Sequence, residues 1–251
     1  EGINFENNVI DTGELKLKLG TGNMLFDYIE YKGKKYDNII KMPLLEDKSG
    51  NKYTPSIYDW QILEQGKLCT ILKVQGSHTL NNKRVYAFEI KLTFYRNKSS
   101  FEFACRLINT TDERLDIKSL VIPVEKNSKG NVRALTGISN YKTRFTESKG
   151  EEIFTYVDAE MLKYESNEHN AEVFYGTFFG DLTDEETGIT ATVYQAQQNF
   201  PKAVKVSSDK MEIMLVPEDI GNVKFERGMA REQRVQFYFH DTEEDIQSIN
   251  N

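Results

Sequence analysis

The clearest pattern in the chain is a period-two alternation of apolar and polar residues between Val85 and Tyr95. The apolar positions are Tyr86, Phe88, Ile90, Leu92 and Phe94. Polar side chains, Glu89 and Lys91 among them, occupy positions between these. Because successive side chains of a β-strand point to opposite faces of its sheet, the pattern predicts an antiparallel strand with one buried face and one face in water.

The same alternation recurs along the whole chain. It is strong in the segments 101–107 and 235–239, and near the start in Leu15–Leu19, where lysines separate the leucines. Turn-forming pairs such as Lys32-Gly33 and Thr187-Gly188 separate the alternating segments. Short strands with turns between them predict an all-β protein of sandwich or barrel type, built from antiparallel sheets.

A single domain over residues 1–240 is predicted, because no Pro/Ser-rich linker, low-complexity tract or internal repeat divides the chain. The polar segment 127–170 is interpreted as long excursions from the sheets, which either line a groove or form a solvated flap. The segment 241–251 breaks the alternation, and Asp241 followed by Glu244 is typical of a helix start. This segment is therefore either a polar tail or the start of a helix leading to a missing domain.

Composition and charge exclude two classes of function. The 251 residues include 32 Lys and Arg against 39 Asp and Glu, which gives a net charge of −7. The chain therefore lacks the uniform basic field that proteins use to bind nucleic acid. Its apolar runs are shorter than the ~20 residues that cross a bilayer, so we expect no membrane-spanning segment.

Motifs for bound groups are missing from the sequence. Nucleophile-elbow, Walker and dinucleotide-binding signatures do not occur, so we expect no cofactor. His78, His169 and His240 are too far apart in the chain to predict a metal site. Two cysteines, Cys69 and Cys105, cannot make a disulfide framework, and their positions leave open whether they pair. Localisation is also open, with a secreted or periplasmic protein slightly favoured over a cytoplasmic one.

Carbohydrate binding is the function that this composition serves without a special motif, since sugars present apolar ring faces and many hydroxyl groups. Trp60 is a candidate stacking platform, although a lone Trp in a β-sandwich is more often a core residue. Gln197, Gln198 and Lys202 lie in an unusually polar segment between two predicted strands and are candidate sugar ligands. The alternative is a polar crossover with Lys202 in solvent.

Five further residues are candidates for charge neutralisation or proton transfer. His78 follows a strand end near Arg84 and Tyr86, and a histidine pKa near neutrality suits acid–base chemistry. More often such a histidine only bonds a turn, and Tyr86 begins the apolar face, which favours packing of its ring. Arg231 and Arg234 can bind a carboxylate bidentately, or they simply mark a solvated strand start.

Seven segments, in this order along nearly the whole chain, resemble the exo-rhamnogalacturonan lyase/YetA-like family. They are Ile10 to Leu17, Leu25 to Ile29, Ile71 to His78, Phe88 to Tyr95, Arg106 to Thr110, Asn199 to Ala203 and Gly228 to His240. The resemblance implies an antiparallel super-sandwich of the galactose-mutarotase-like kind. It also implies that this fold is one module of a larger enzyme that usually carries a helical-barrel domain as well.

The chemistry implied by the resemblance is β-elimination of a polysaccharide that contains uronic acid. Such a reaction needs a positive group to neutralise the carboxylate, a base for the adjacent proton and an acid for the leaving oxygen. By residue type alone, Arg84 or Arg231 are candidates for the neutralising group, and His78 or a tyrosine for moving protons. The family's catalytic residues are not assigned to positions of this chain, so enzyme activity stays open.

The leading hypothesis is therefore a β-sandwich module of a polysaccharide lyase-like protein. Such a module would contact an acidic polysaccharide or oligosaccharide and pack on a catalytic helical domain of the same full-length protein. The alternative is a stand-alone module that binds carbohydrate without catalysis or has a purely structural purpose. No nucleic-acid or membrane partner is expected in either case.

Overall fold

A computed structural model describes residues 3–139, 143–158, 161–164, 167–170, 176–196, 198–218 and 223–244. These residues form 22 strands and no helix, so the prediction of an all-β fold with antiparallel sheets is confirmed. No helix in the described part of the chain is long and apolar enough to cross a membrane.

The strands fall along the chain as follows. They are β1 (Asn4–Glu6), β2 (Val9–Asp11), β3 (Leu15–Leu19), β4 (Phe26–Tyr31), β5 (Lys34–Asp37), β6 (Leu44–Asp47), β7 (Lys52–Gln65), β8 (Cys69–Leu80), β9 (Lys83–Tyr95), β10 (Ser100–Ile108), β11 (Leu115–Glu125), β12 (Arg133–Ser139), β13 (Thr143–Glu147), β14 (Ile153–Val157), β15 (Met161–Tyr164), β16 (Asn167–Asn170), β17 (Thr177–Thr183), β18 (Gly188–Val193), β19 (Lys202–Val206), β20 (Lys210–Val216), β21 (Val223–Phe225) and β22 (Ala230–His240).

Three antiparallel sheets contain these strands. Sheet A joins β1 to β5 in chain order. Sheet B has the order β7-β8-β9-β10-β22-β18-β17-β12-β13. Sheet C has the order β16-β15-β14-β19-β20-β11-β6, and β21 pairs with the start of β11 beside β20. The start of β7 also pairs with β6, so this strand links sheets B and C.

One face of sheet B packs on both other sheets, and we call it the inner face. Phe101 of β10 meets Phe26 of sheet A edge to face, with ring centroids 5.6 Å apart. Further along the sheet, the Thr136 hydroxyl of β12 donates a hydrogen bond to the Val204 carbonyl of sheet C at 3.4 Å. The apolar positions of the alternating segments supply the core between the sheets, where Phe88, Phe94 and Phe237 among others are buried. The opposite, outer face of sheet B carries the intervening polar positions.

The structure changes the interpretation of the segment 127–170 and describes the beginning of the segment 241–251. The segment 127–170, predicted as excursions, contains β12 and β14, whose inward side chains join the core. After β22, residues 241–244 form a turn closed by the Glu244 amide and the Asp241 carbonyl, whereas residues 245–251 lie outside the described residues. The assignment of 1–240 to one domain stays a prediction.

The two cysteines do not pair. Cys105 is buried on the inner face of β10, whereas Cys69 begins β8 and is half-buried. Burial raises the pKa of the Cys105 thiol to about 12, so it behaves as a small apolar core residue.

Candidate functional site

A groove opens at the centre of the outer face of sheet B, where three neighbouring strands place polar side chains around a small one. The register pairs Lys91 of β9 with Ala104 of β10, and Ala104 with Arg234 of β22. Since alanine fills little space between two long side chains, a cavity of about 330 Å³ lies over it. Glu102 and Tyr194 also line this cavity. We call this site the sheet B groove.

The cations of the groove are only partly used by the protein itself. The Nε atom of Arg234 donates to the Glu232 carboxylate at 3.0 Å, which leaves the terminal nitrogens of the guanidinium for other acceptors. Lys91 and its cross-strand neighbour Lys73 form no ion pair with any carboxylate of the described residues. In a chain with a net charge of −7, unpaired lysines on a sheet face are available to an anionic ligand.

The remaining walls of the groove offer hydrogen-bonding groups. The Tyr194 hydroxyl donates to Gln236 at 2.7 Å, and the Tyr95 hydroxyl donates to the Glu102 carboxylate at 3.2 Å. Burial, followed by the charge of Glu102, raises the pKa of Tyr194, so this phenol stays protonated at neutral pH. The groove therefore combines two cations, one carboxylate and a fixed phenol, which can contact both a carboxylate and hydroxyl groups of a ligand.

A hydrogen-bonded row of polar side chains continues from the groove toward the β7 edge. The Gln75 amide donates to Glu89 at 3.0 Å, and Arg106 lies 3.7 Å from the same carboxylate. On β7, the Gln61 amide donates to Asp59 at 2.8 Å. These side chains share the outer face with Lys91. Together with the groove they form a polar surface that spans β7, β8, β9, β10 and β22.

The other half of the same face is covered. Asp181 of β17 and His240 of β22 have no exposed surface, and the His240 Nε2 atom lies 2.8 Å from the Asp181 Oδ1 atom. Thr183 and Thr190 donate hydroxyl hydrogen bonds to the same carboxylate at 2.7 and 2.8 Å. The turn at 241–244 crosses this area.

The covering turn is held at three points. The Tyr238 hydroxyl donates to the Glu244 carboxylate at 2.9 Å, and Arg133 donates to the Glu244 carbonyl at 3.4 Å. Asp241 forms an ion pair with Lys32 from the turn between β4 and β5. The charged cluster beneath the turn therefore belongs to the folded scaffold and not to an open site.

Sheet C carries a larger groove, of about 750 Å³, which we do not regard as the candidate site. Its lysines already have carboxylate partners. Lys41 contacts Glu125 at 3.2 Å, and Lys205 contacts Glu152 at 3.1 Å. Because these charges neutralise one another, this groove has less positive charge available to an anionic ligand than the sheet B groove has.

His78, Arg84 and Tyr86, three of the candidates for proton transfer or charge neutralisation, do not form one accessible site. His78 and Tyr86 are cross-strand partners on the inner face, where both are buried. The His78 Nε2 atom donates to the Pro43 carbonyl at 2.9 Å, and burial lowers the pKa of His78 to about 4. A register shift in β9 instead places Arg84 in solvent, with its guanidinium 4.7 Å from the Tyr58 ring. This burial argues against a direct role of His78 and Tyr86 and favours the packing interpretation.

The proposed sugar ligands of the segment after β18 are also placed differently. Lys202 is fully buried and donates to the Pro201 and Leu215 carbonyls at 2.9 and 2.7 Å, and also to the Asn199 carbonyl. Burial, followed by the charge of Arg231, lowers its pKa well below that of a free lysine. Lys202 therefore closes the turn before β19 and does not reach a ligand on the surface.

The other predicted ligands divide between the two faces. Arg231 pairs with inward-facing Leu107 and donates to the Phe200 carbonyl at 3.0 Å, whereas Arg234 points into the sheet B groove, so the two arginines do not form one clamp. Trp60 packs against the core, as the alternative interpretation held. Gln198 is exposed, and Gln197 lies outside the described residues.

Sequence reasoning missed Lys91, Glu102 and Ala104 as a site, although it placed Lys91 on the polar face of its strand. Their combination with Arg234 depends on the pairing of β10 with β22, which is distant from β9 and β10 in sequence. The available signal was a small residue between polar positions on one strand and long cations on two others.

No family model matches the chain, and no curated protein matches it. Among solved structures it is similar to the galactosidase domain of an α-galactosidase-sucrose kinase, with a TM-score of 0.60, 8% identity, and coverage of 95% of this chain and 41% of that one. A galactose mutarotase-like protein from Lactobacillus casei matches with a TM-score of 0.50 and 10% identity, over 92% of this chain and 99% of that one.

A third similar structure is a GH36 α-galactosidase from Geobacillus stearothermophilus, which was crystallised with stachyose. It has a TM-score of 0.51 and 10% identity, over 80% of this chain. The chain spans only about 30% of the length of this α-galactosidase. At such low identity the similarities establish the fold, a mutarotase-like antiparallel β-sandwich, which confirms the predicted super-sandwich class.

Proposed function

We propose that this chain is a carbohydrate-binding β-sandwich module and that the sheet B groove binds an acidic sugar. The observation that carries the proposal is the placement of Lys91 and Arg234 on either side of Ala104, beside Glu102 and Tyr194. The two cations can hold a carboxylate between them, and the carboxylate and phenol can bond the hydroxyl groups of the ring.

Two further lines support this proposal. The structures with a similar fold include a galactosidase domain and a galactose mutarotase-like protein, and both names refer to a sugar-related activity. The sequence segments that resemble the exo-rhamnogalacturonan lyase/YetA-like family point to a glycan with carboxylates, which fits Lys91 and Arg234 in the groove. As part of a longer protein, the module would present the acidic glycan to a catalytic helical domain of the same chain.

Calorimetric titration with galacturonic acid and its short oligomers tests the proposal. We expect Lys91→Ala and Arg234→Ala each to weaken binding roughly 10- to 100-fold, because each removes a charge-assisted contact. The matched control is Lys205→Ala in the sheet C groove, which removes a lysine already paired with Glu152 at 3.1 Å and should leave affinity unchanged.

The outcomes separate the candidate functions. Binding without turnover identifies a carbohydrate-binding module, and a rise in the ultraviolet absorbance of unsaturated uronates identifies a lyase. If the unmodified protein binds none of these sugars, the proposal is wrong and a structural module is the better account. Equal losses in the Lys205→Ala control would instead place the site elsewhere.

A further inference from the structure

An exposed aromatic ring stands at the β7 edge of the outer face of sheet B. The ring belongs to Tyr58, which is 50% exposed, and the Arg84 guanidinium lies 4.7 Å from its centroid. Arg84 belongs to β9, so its side chain reaches across β8 to the ring. Arg84 pairs with Thr79, which follows inward-facing His78 in β8, so Arg84 and the ring that it contacts lie on the same side of sheet B as the groove.

The backbone of β7 explains why this ring is exposed. The pairing with β8 shifts between Ile57 and Asp59, so Tyr58 is the extra residue of a β-bulge. Such a bulge re-aims the side chain at its position. Trp60, two residues later, packs against the core, whereas Tyr58 turns to solvent. A cation on one side of the ring fixes its orientation and leaves the other side available for stacking.

The space between this ring and the groove is polar and continuous. With about 4.8 Å between strands and about 3.4 Å per residue, Tyr58 lies roughly 10–15 Å from Lys91. Gln75 and Glu89 lie between them and are hydrogen-bonded to each other at 3.0 Å. This separation is too large for one monosaccharide and suits a short oligosaccharide.

We propose that Tyr58, held by Arg84, is a second sugar-binding position, where the apolar face of a pyranose ring stacks while another sugar of the same chain occupies the sheet B groove. The inference rests on the proposed carbohydrate function of that groove. It adds that the ligand is an oligosaccharide that crosses β8 and β9, and that stacking at Tyr58 determines the preference for longer chains.

Titration with galacturonic acid and with its linear oligomers tests the inference. We expect the oligomers to bind the unmodified protein more tightly than the monosaccharide does. Tyr58→Ala should lower oligomer affinity roughly tenfold and leave monosaccharide affinity unchanged. Tyr58→Phe, which keeps the ring, should restore binding. The matched control is Tyr28→Ala on sheet A, where Lys35 lies 4.4 Å from the ring centroid in the same kind of pair.

The outcomes distinguish this inference from the function on which it rests. If monosaccharide binds at Lys91 but oligomers gain nothing, or if Tyr58→Ala leaves oligomer affinity unchanged, the stacking position is refuted and the groove stands. An equal loss in the Tyr28→Ala control also refutes it. If the unmodified protein binds neither the monosaccharide nor the oligomers, the groove proposal and this inference fail together.

Discussion

The two halves of the outer face of sheet B are built from the same kind of alternating strand, but one half is open to solvent and the other is covered. In the open half, Lys91 and Arg234 remain accessible around a small cavity. In the covered half, Asp181 and His240 lose all exposure beneath the turn at 241–244. Exposure, and not residue type, decides whether a polar residue serves binding or stability, because a buried charge must be paired whereas an exposed one need not be.

The largest effect is expected in the covered half. We expect His240→Ala to lower the free energy of unfolding by about 3–5 kcal/mol, because the buried Asp181 carboxylate then loses its His240 partner. Arg133 then stays as a nitrogen partner of that carboxylate, with its Nη2 atom 3.8 Å away. Urea unfolding followed by circular dichroism measures the change.

A matched control belongs to the open half. Glu232→Gln also removes one member of an ion pair, but its partner Arg234 is exposed, so the change should stay within about 0.5 kcal/mol. If both variants lose the same stability, the distinction between the halves has no energetic basis.

A second histidine sharpens the comparison, because His78 is buried without a carboxylate partner. Its pKa is lowered from 6.5 to about 4 by burial, so between these values the unfolded chain binds the proton and the folded protein does not. The contribution to stability is therefore complete above pH 6.5 and is lost as the pH falls toward 4, a loss of roughly 3 kcal/mol.

The measurement is urea unfolding from pH 7.5 to pH 4, compared between the unmodified protein and His78→Asn. The variant should show the shallower decline in stability, since the contribution of His78 is then absent. Parallel declines would mean that His78 is accessible to protons in the folded state, which would revive it as a candidate for proton transfer.

Much of the architecture could be predicted from the sequence, because period-two alternation directly reports which face of a strand is buried. The strand around Phe88, the antiparallel all-β class and the sandwich fold all follow from it. The residues of the candidate site could be predicted from the sequence much less completely. The bulge at Tyr58 separates that residue from Trp60, and a one-residue shift of this kind leaves no periodic signal.

Other site predictions failed to find the groove for a different reason. Lys202 and Arg231 lie in two separate polar segments that look exposed in sequence, yet both donate to backbone carbonyls near the turn before β19. Lys91 and Arg234 meet only through the pairing of β9 and β22 with β10. Sequence patterns describe the faces of single strands, whereas a binding site depends on register between distant ones.

The central claim is that the open half of sheet B binds acidic sugar, and backbone amide NMR tests it most directly. On titration with an oligogalacturonate, we expect chemical-shift changes at Lys91, Ala104 and Arg234, and none at Lys118 or Met214 of sheet C. Changes confined to sheet C, or no changes anywhere at saturating sugar, would contradict the account.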